Sequence, residues 1–217
     1  MLEQRHGASG IGLSTFMANI DGDVPVRSFR ELRFLTTIRQ QFDYSCGSAA
    51  LATLLTHHYG MPTREDEILR DMIAHGDAEV IRQQGFSLLD MQRYLERRGL
   101  RSNGFRLPLA RYAELRVPAI ALINNEGYRH FVVVRGIDDD RVLIADPNLG
   151  GRTLTRAEFE AIWNGVMFFV TDRVEEARAT FGRPSDWAAR PRAPIQDRVN
   201  EMDGMRVVFG FRDTRFF

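Results

Sequence analysis

The stretch IRQQFDYSCG, Ile38–Gly47, and the apolar run SAALATLL that follows at Ser48–Leu55 organise the rest of the chain. Cys46 is the single cysteine among 217 residues. The residues around it are types that end a loop and begin a helix, so we predict that Cys46 opens a buried helix that runs to about Tyr59. The dipole and the unpaired N–H groups at such a helix start favour a thiolate, which is the nucleophilic form of cysteine.

A lone cysteine before small apolar residues is more often a core residue than a catalyst, and this alternative stays open on Cys46 alone. Catalysis also requires a base, a group that orients the base and donors for an oxyanion. The rest of the chain must supply these groups.

Composition sets the broad class of protein. With 44% hydrophobic and 27% charged residues, the chain is typical of a globular protein with one domain and an extension, or with two small domains. A formal net charge of zero gives no reason to expect a nucleic-acid partner. No stretch approaches the length of a transmembrane helix, and the first residues do not resemble a signal peptide. Both a cytosolic protein and one that has lost its leader fit these observations, and the oligomeric state is left open.

The hydrophobic pattern divides the chain into three parts. Residues 1–27 are Gly-rich and weakly patterned, and we predict a flexible N-terminal arm there. The densely patterned part spans residues 28–171 and predicts one domain. Residues 172–217 contain Pro-rich loops and predict an extension that packs on the domain, with one last strand at Met205–Phe211.

The first half of the domain reads as helical. Ser28–Thr37 is predicted to be extended, and helices are predicted to begin with capping pairs at Thr63 and Asp66 and at Ser87 and Asp90. The segment between these two helices is predicted to be loop.

The second half changes to a period of two. Asp146–Gly151 is predicted to be a sharp turn, which also covers the Gly-Gly pair of the chain, and Thr155 is predicted to cap a short helix. Strands are predicted at Val117–Ile123, Tyr128–Gly136, Arg141–Ala145 and Val166–Val170. Helices followed by an antiparallel meander indicate an α+β fold.

Two residues of this meander are candidates for a catalytic pair with Cys46. His130 opens an apolar strand, where an imidazole needs a polar partner or a cleft. Asp146 ends the next strand, so the two side chains are expected to approach each other across neighbouring strands. Taken singly, His130 is equally a hydrogen-bonded core histidine, and Asp146 a turn residue before Pro147.

The oxyanion donor has two candidates upstream of the cysteine. Gln40 lies six residues before Cys46 and is predicted to donate its side-chain amide together with the Cys46 backbone N–H. Gln41 is its rival, and a plain surface glutamine is the alternative for either residue.

Two histidines near the predicted helix end give a weaker signal. His57 and His58 lie where an imidazolium suits the helix dipole. No second ligand pair has zinc spacing, so we predict no metal and no cofactor.

The cysteine stretch, the later RHFVVV at Arg129–Val134 and the turn that begins at Asp146 resemble, in this order, peptidase family C39. The resemblance covers roughly residues 30–170. It implies a papain-like cysteine peptidase whose helical half carries the cysteine at a helix N-terminus and whose antiparallel sheet carries the histidine and the aspartate. Matched by position, Cys46 is the nucleophile, His130 the base, Asp146 the orienting group and Gln40 the oxyanion donor.

The resemblance also implies a substrate and a setting. Known members of this family remove leader peptides after Gly-Gly in exporters, and stand-alone Gram-negative members are encoded with functional-amyloid export systems. By this resemblance we expect a periplasmic endopeptidase that acts on an exported protein, with an amyloid subunit or an export-system component as partner. The two alternatives are a C39-like module that binds without cutting, and a papain-like amidase that acts on cell-wall peptides.

Overall fold

The computed structural model describes residues 29–125 and 127–188, and within these ranges the predicted α+β fold is confirmed. The six described strands are β1 Ser102–Arg106, β2 Ala119–Asn125, β3 Tyr128–Ile137, β4 Arg141–Asp146, β5 Gly150–Thr155 and β6 Trp163–Val170. The described helices are α1 Phe29–Arg33, α2 Cys46–His58, α3 Glu65–His75, α4 Ala78–Gln84, α5 Leu88–Arg97, α6 Leu109–Leu115, α7 Arg156–Ile162, α8 Val174–Arg178 and α9 Pro184–Ala188.

The strands form one antiparallel sheet in the order β1-β6-β2-β3-β4-β5. Helix α2 packs on β3, and its residues from Cys46 to Leu55 are buried. A helix that is apolar on all sides belongs in the core, and its small residues allow close approach. A Cβ on Gly47, for example, would lie only 2.8 Å from the Cε of Met91. The packing of α2 against the sheet therefore fixes the position of its first turn.

Several predicted helix ends are confirmed. Helix α2 begins at Cys46 and its C-cap is Tyr59. Ser87 and Asp90 form the predicted capping box at the start of α5, and Thr155 caps α7. The capping bonds at Ser87 and Thr155 join residues three apart, which a local pattern shows well.

The predicted cap at Thr63 is wrong. Helix α3 begins at Glu65, and the Thr63 hydroxyl donates to the carbonyl of Met61 instead. The backbone N–H of Thr63 donates to the Thr56 hydroxyl, 3.0 Å away, so this threonine closes the exit of α2. Asp66 forms an ion pair with Arg64 instead of taking part in a capping box.

Other short elements were also predicted incorrectly. The segment Ser28–Thr37 contains helix α1 where extended chain was predicted, and the predicted loop before α5 contains helix α4, which Asp77 caps. The predicted turn Asp146–Gly151 ends in strand β5, because Gly150 and Gly151 pair with the end of β4. Strand β1 and helix α6 had no predicted counterpart. These elements are only five to seven residues long, too short for a hydrophobic period to identify.

The described part of the C-terminal extension packs on the sheet. Ala177 and Phe181 are buried in the core, and Asp186 of α9 forms a buried ion pair with Arg135 of β3 at 2.6 Å. The predicted arm at residues 1–27 and the predicted strand Met205–Phe211 lie outside the described residues, so the three-part division of the chain stays a prediction. Across residues 29–125 and 127–188, no helix has both the length and the apolar character needed to cross a membrane.

Candidate active site

Cys46 occupies the first position of α2, directly after the N-cap Ser45. The Ser45 hydroxyl exchanges hydrogen bonds with the backbone of Phe42, which closes the loop ahead of the helix. Cys46 is 5% exposed, yet it lines a cavity of about 540 Å³. The apolar and polar walls of this cavity include Phe86, Leu122, Tyr128, Arg129 and Phe131. The thiol is therefore sheltered from bulk water but faces a space that can hold part of a ligand.

His130 and Asp146 form a buried pair. The Nε2 of His130 lies 2.7 Å from the Oδ1 of Asp146, and both side chains are less than a tenth exposed. The same oxygen accepts the backbone N–H groups of Asn148 and Leu149, at 2.9 and 3.2 Å. The turn after β4 thus helps to hold the carboxylate oxygen that contacts the histidine.

The charges of the pair stabilise each other. Burial by itself lowers the pKa of His130, but the hydrogen bond with Asp146 and the adjacent Cys46 side chain outweigh it and raise this pKa from 6.5 to about 9. Burial likewise opposes ionisation of Asp146, but the bond from His130 and the turn N–H groups hold the pKa of this carboxyl below its ordinary value. The arrangement favours an imidazolium beside a carboxylate at neutral pH.

The second nitrogen of the His130 ring lies on the cysteine side. Nε2 is occupied by Asp146, while Nδ1 is buried and makes no hydrogen bond of regular geometry with the described residues. The Cys46 side chain lies close enough to act as a hydrogen-bonding neighbour of the ring. The imidazole and the thiol are therefore neighbours, which is what proton transfer between them requires.

Gln40 is partly buried and its side chain contacts Tyr128, whereas Gln41 is exposed. The Gln40 Nε2 donates to the carbonyl of Phe42 at 3.1 Å, and its backbone N–H donates to the carbonyl of Pro147 at 3.0 Å. An amide group has two N–H donors, and the Gln40 side chain also contacts the hydroxyl of Tyr128. The loop that carries Gln40 is thereby attached to the turn that carries Asp146.

Sequence reasoning missed two residues at the site. Arg152 of β5 lies with a guanidinium nitrogen 3.2 Å from the Oδ2 of Asp146. Tyr128 stacks at a tilt beside His130, with ring centroids 5.8 Å apart, and its hydroxyl donates to the carbonyl of Asp43 at 2.8 Å. The period-two spacing of Tyr128 and His130 on one strand was the one local signal that they share a face.

At the end of α2, burial opposes the imidazolium that would suit the helix dipole. Burial lowers the pKa of both His57 and His58, and the nearby Arg135 guanidinium lowers it further. The Nδ1 of His58 instead forms a 2.6 Å hydrogen bond with the hydroxyl of Thr180. The desolvation cost in the core exceeds the attraction of the helix dipole, so these side chains are neutral structural residues.

A thiol at a helix N-terminus beside a buried histidine–carboxylate pair on an antiparallel sheet defines a papain-like cysteine peptidase. Solved structures support this fold. The peptidase domain of Streptococcus ComA, a bifunctional ABC transporter, matches with a TM-score of 0.54 and 20% identity over 62% of this chain and 96% of that domain. A double-glycine-motif protease from an AMS/PCAT transporter, solved with its leader peptide, matches with a TM-score of 0.51 and 23% identity over 61% of this chain and 88% of that one.

The chain belongs to the Peptidase C39 family, whose family model matches residues 35–175. It is also 39% identical over 193 residues to the probable functional amyloid protease FapD of Pseudomonas aeruginosa. That match covers 88% of this chain and 84% of the relative. The chain is thus a cysteine peptidase, as the resemblance in the sequence implies.

Proposed function

We propose that this chain is an endopeptidase that cuts an exported protein or peptide through Cys46, His130 and Asp146, with Gln40 as oxyanion donor. One observation carries the proposal. The buried His130–Asp146 pair lies beside a cysteine that opens a helix and lines a cavity, which supports the roles of base, orienting group and nucleophile for the three.

The reaction follows from the positions of these groups. The Cys46 thiolate attacks the carbonyl carbon of the scissile bond while His130 is protonated. The oxyanion is stabilised by the Cys46 backbone N–H and by the Gln40 side-chain amide. His130 gives its proton to the leaving amine as the C–N bond breaks, which leaves a thioester on Cys46. A water then attacks the thioester, His130 accepts its proton, and the acid product departs with the thiolate restored.

The relatives support a substrate class. The Pseudomonas aeruginosa relative is a probable functional amyloid protease, and the similar AMS/PCAT structure is a double-glycine-motif protease in complex with a leader peptide. We therefore propose an amyloid subunit or another component of an export system as substrate, cleavage after Gly-Gly, and work in the periplasm. The Gly150–Gly151 pair of the chain itself is buried in β5 and is a poor site for self-cleavage.

The test begins with the nucleophile. The rate of Cys46 alkylation by iodoacetamide is measured against pH in the wild type and in His130→Ala. An ordinary thiol titrates near pH 8.5. We expect a wild-type rate that is already on its plateau near neutrality, and a curve that moves toward the ordinary thiol in the variant. Curves that rise together only above about pH 8 would overturn the assignment of the pair and favour a module that binds without cutting.

Cleavage is then measured by mass spectrometry on matched peptides that contain Gly-Gly or Ala-Ala at one position. We expect cleavage of the Gly-Gly peptide and loss of cleavage in Cys46→Ala. Cleavage of muropeptides with no cleavage of either peptide would identify the amidase alternative.

A further inference from the structure

We propose that Tyr128 is a positioning residue that holds the loop of residues 40–46 in the geometry needed for the oxyanion hole. This inference rests on the proposed function and assigns to it one more residue. Tyr128 acts through the loop backbone and through Gln40, without a proton transfer of its own.

The position of Tyr128 follows from the strand. Tyr128 and His130 are two residues apart on β3, so both side chains project from the same face. The two rings lie 5.8 Å apart with an angle of 30° between their planes. The tyrosine is half exposed and lines the same cavity as Cys46. Its ring therefore lies between the base and the loop that precedes the nucleophile.

The hydroxyl of Tyr128 ties β3 to this loop. It donates to the carbonyl of Asp43 at 2.8 Å and so joins the loop of residues 40–46 to β3, and the Gln40 side chain also contacts the phenol. Burial raises the pKa of Tyr128, and the neighbouring Cys46 and Asp43 raise it further, against an opposing effect of the Gln40 side chain. The phenol thus keeps its proton and remains a donor at neutral pH.

The other contacts of the loop hold Gln40 and Phe42, and Tyr128 holds the peptide that follows Phe42. The Gln40 N–H is bound to the carbonyl of Pro147, and the Ser45 hydroxyl is bound to the backbone of Phe42. The carbonyl of Phe42 also receives the Gln40 amide. The next carbonyl along the chain, that of Asp43, is the one held by Tyr128. By holding this peptide, the phenol supports the neighbouring Phe42 carbonyl, which accepts the Gln40 amide and the Ser45 hydroxyl.

The test is Tyr128→Phe, which removes the hydroxyl and keeps the ring beside His130. We expect kcat on a fluorogenic Gly-Gly peptide to fall roughly tenfold with KM changed by less than about twofold, since a small misplacement of a donor costs transition-state stabilisation. A peptide aldehyde of the same sequence forms a tetrahedral adduct that uses the oxyanion hole, so its Ki should rise by the same factor. Alkylation by iodoacetamide forms no oxyanion, so its rate and pH profile should not change.

Tyr94→Phe is the matched control, because the Tyr94 hydroxyl is buried away from the cavity and has no hydrogen-bond partner among the described residues. It should leave all three readouts at wild-type values. The inference is overturned if Tyr128→Phe keeps wild-type kcat, if kcat falls without a matching rise in Ki, or if alkylation and Tm fall in step with kcat. A wild type that cleaves no peptide refutes the proposed function as well, whereas an active wild type with an equally active Tyr128→Phe refutes this inference alone.

Discussion

The Nε2 of His130 contacts the Oδ1 of Asp146 at 2.7 Å from the neighbouring strand, across sixteen positions of sequence. The same carboxylate oxygen is already held by two turn N–H groups. The carboxylate is thus oriented by the backbone, and the imidazole is oriented by the carboxylate.

Asp146→Asn is expected to lower kcat by roughly 10²- to 10⁴-fold, because an amide keeps the shape but no longer stabilises the imidazolium or fixes its tautomer. Peptide cleavage under saturating substrate measures the change. Asp138→Asn is the matched control, since Asp138 also accepts backbone N–H groups and an arginine but lies on the β3–β4 turn. Equal losses in both variants would indicate a general effect on folding.

The raised pKa of His130 predicts that stability depends on pH. The folded state holds this proton up to a pH of about 9, whereas the unfolded state releases it near 6.5. The stabilisation is therefore complete below pH 6.5 and is lost as the pH rises through about 9. At 1.36 kcal/mol per pKa unit the loss is about 3 kcal/mol at most. The free energy of unfolding in urea, measured from pH 6 to 10, should show this loss in the wild type and not in His130→Gln. Parallel pH dependences of the two free energies would contradict the prediction.

Arg152→Met is expected to lower kcat by roughly threefold to tenfold. A partly exposed ion pair contributes about 1 kcal/mol, and a tenfold change in rate corresponds to about 1.36 kcal/mol of activation free energy. Removal of the guanidinium should also raise the pKa of Asp146 and move the acid limb of the pH–rate profile to higher pH. Arg141→Met is the control, because its side chain is 32% exposed against 31% for Arg152 and pairs with Asp138 instead. An unmoved acid limb would remove Arg152 from the site.

Asp186→Ala is expected to destabilise the fold by about 3–5 kcal/mol, because it leaves the Arg135 guanidinium buried without a counter-charge. Arg135 also donates to the carbonyl and hydroxyl of Thr36, so the loss should loosen the segment that leads to Gln40. Urea unfolding gives the free energy. Asp172→Ala breaks the exposed pair with Arg101 and should change little. A small effect of Asp186→Ala would mean that water reaches the guanidinium in the folded state.

The sequence predicted those features that depend on residues close together in the chain. The start of α2 at Cys46 and the capping box at Ser87 involve contacts within three or four residues, and both were found. The pairing of His130 with Asp146 was expected because a hairpin brings neighbouring strand ends together. The catalytic roles of Cys46, His130, Asp146 and Gln40 stay predictions until the variants are measured.

What the sequence left out depends on distant contacts. Arg152 contacts Asp146 from β5, a strand whose first two residues were predicted to be part of a turn. The Tyr128 hydroxyl binds a loop residue 85 positions away in the sequence. Neither partner can be inferred without the sheet order. The neutral state of His58 likewise results from burial and from the nearby Arg135 guanidinium, and its ring binds the Thr180 hydroxyl. Both partners are distant from His58 in the sequence.

The solitary state of Cys46 has a consequence for oxidation. A sulfenic acid on this sulfur would find no second cysteine in the chain to convert it into an internal disulfide. Further oxidation to the sulfinic acid would inactivate the protein permanently. Recovery therefore requires that a small thiol enters the cavity from outside and reduces the sulfenic acid first. The working lifetime of this peptidase is therefore tied to the reducing capacity of its surroundings.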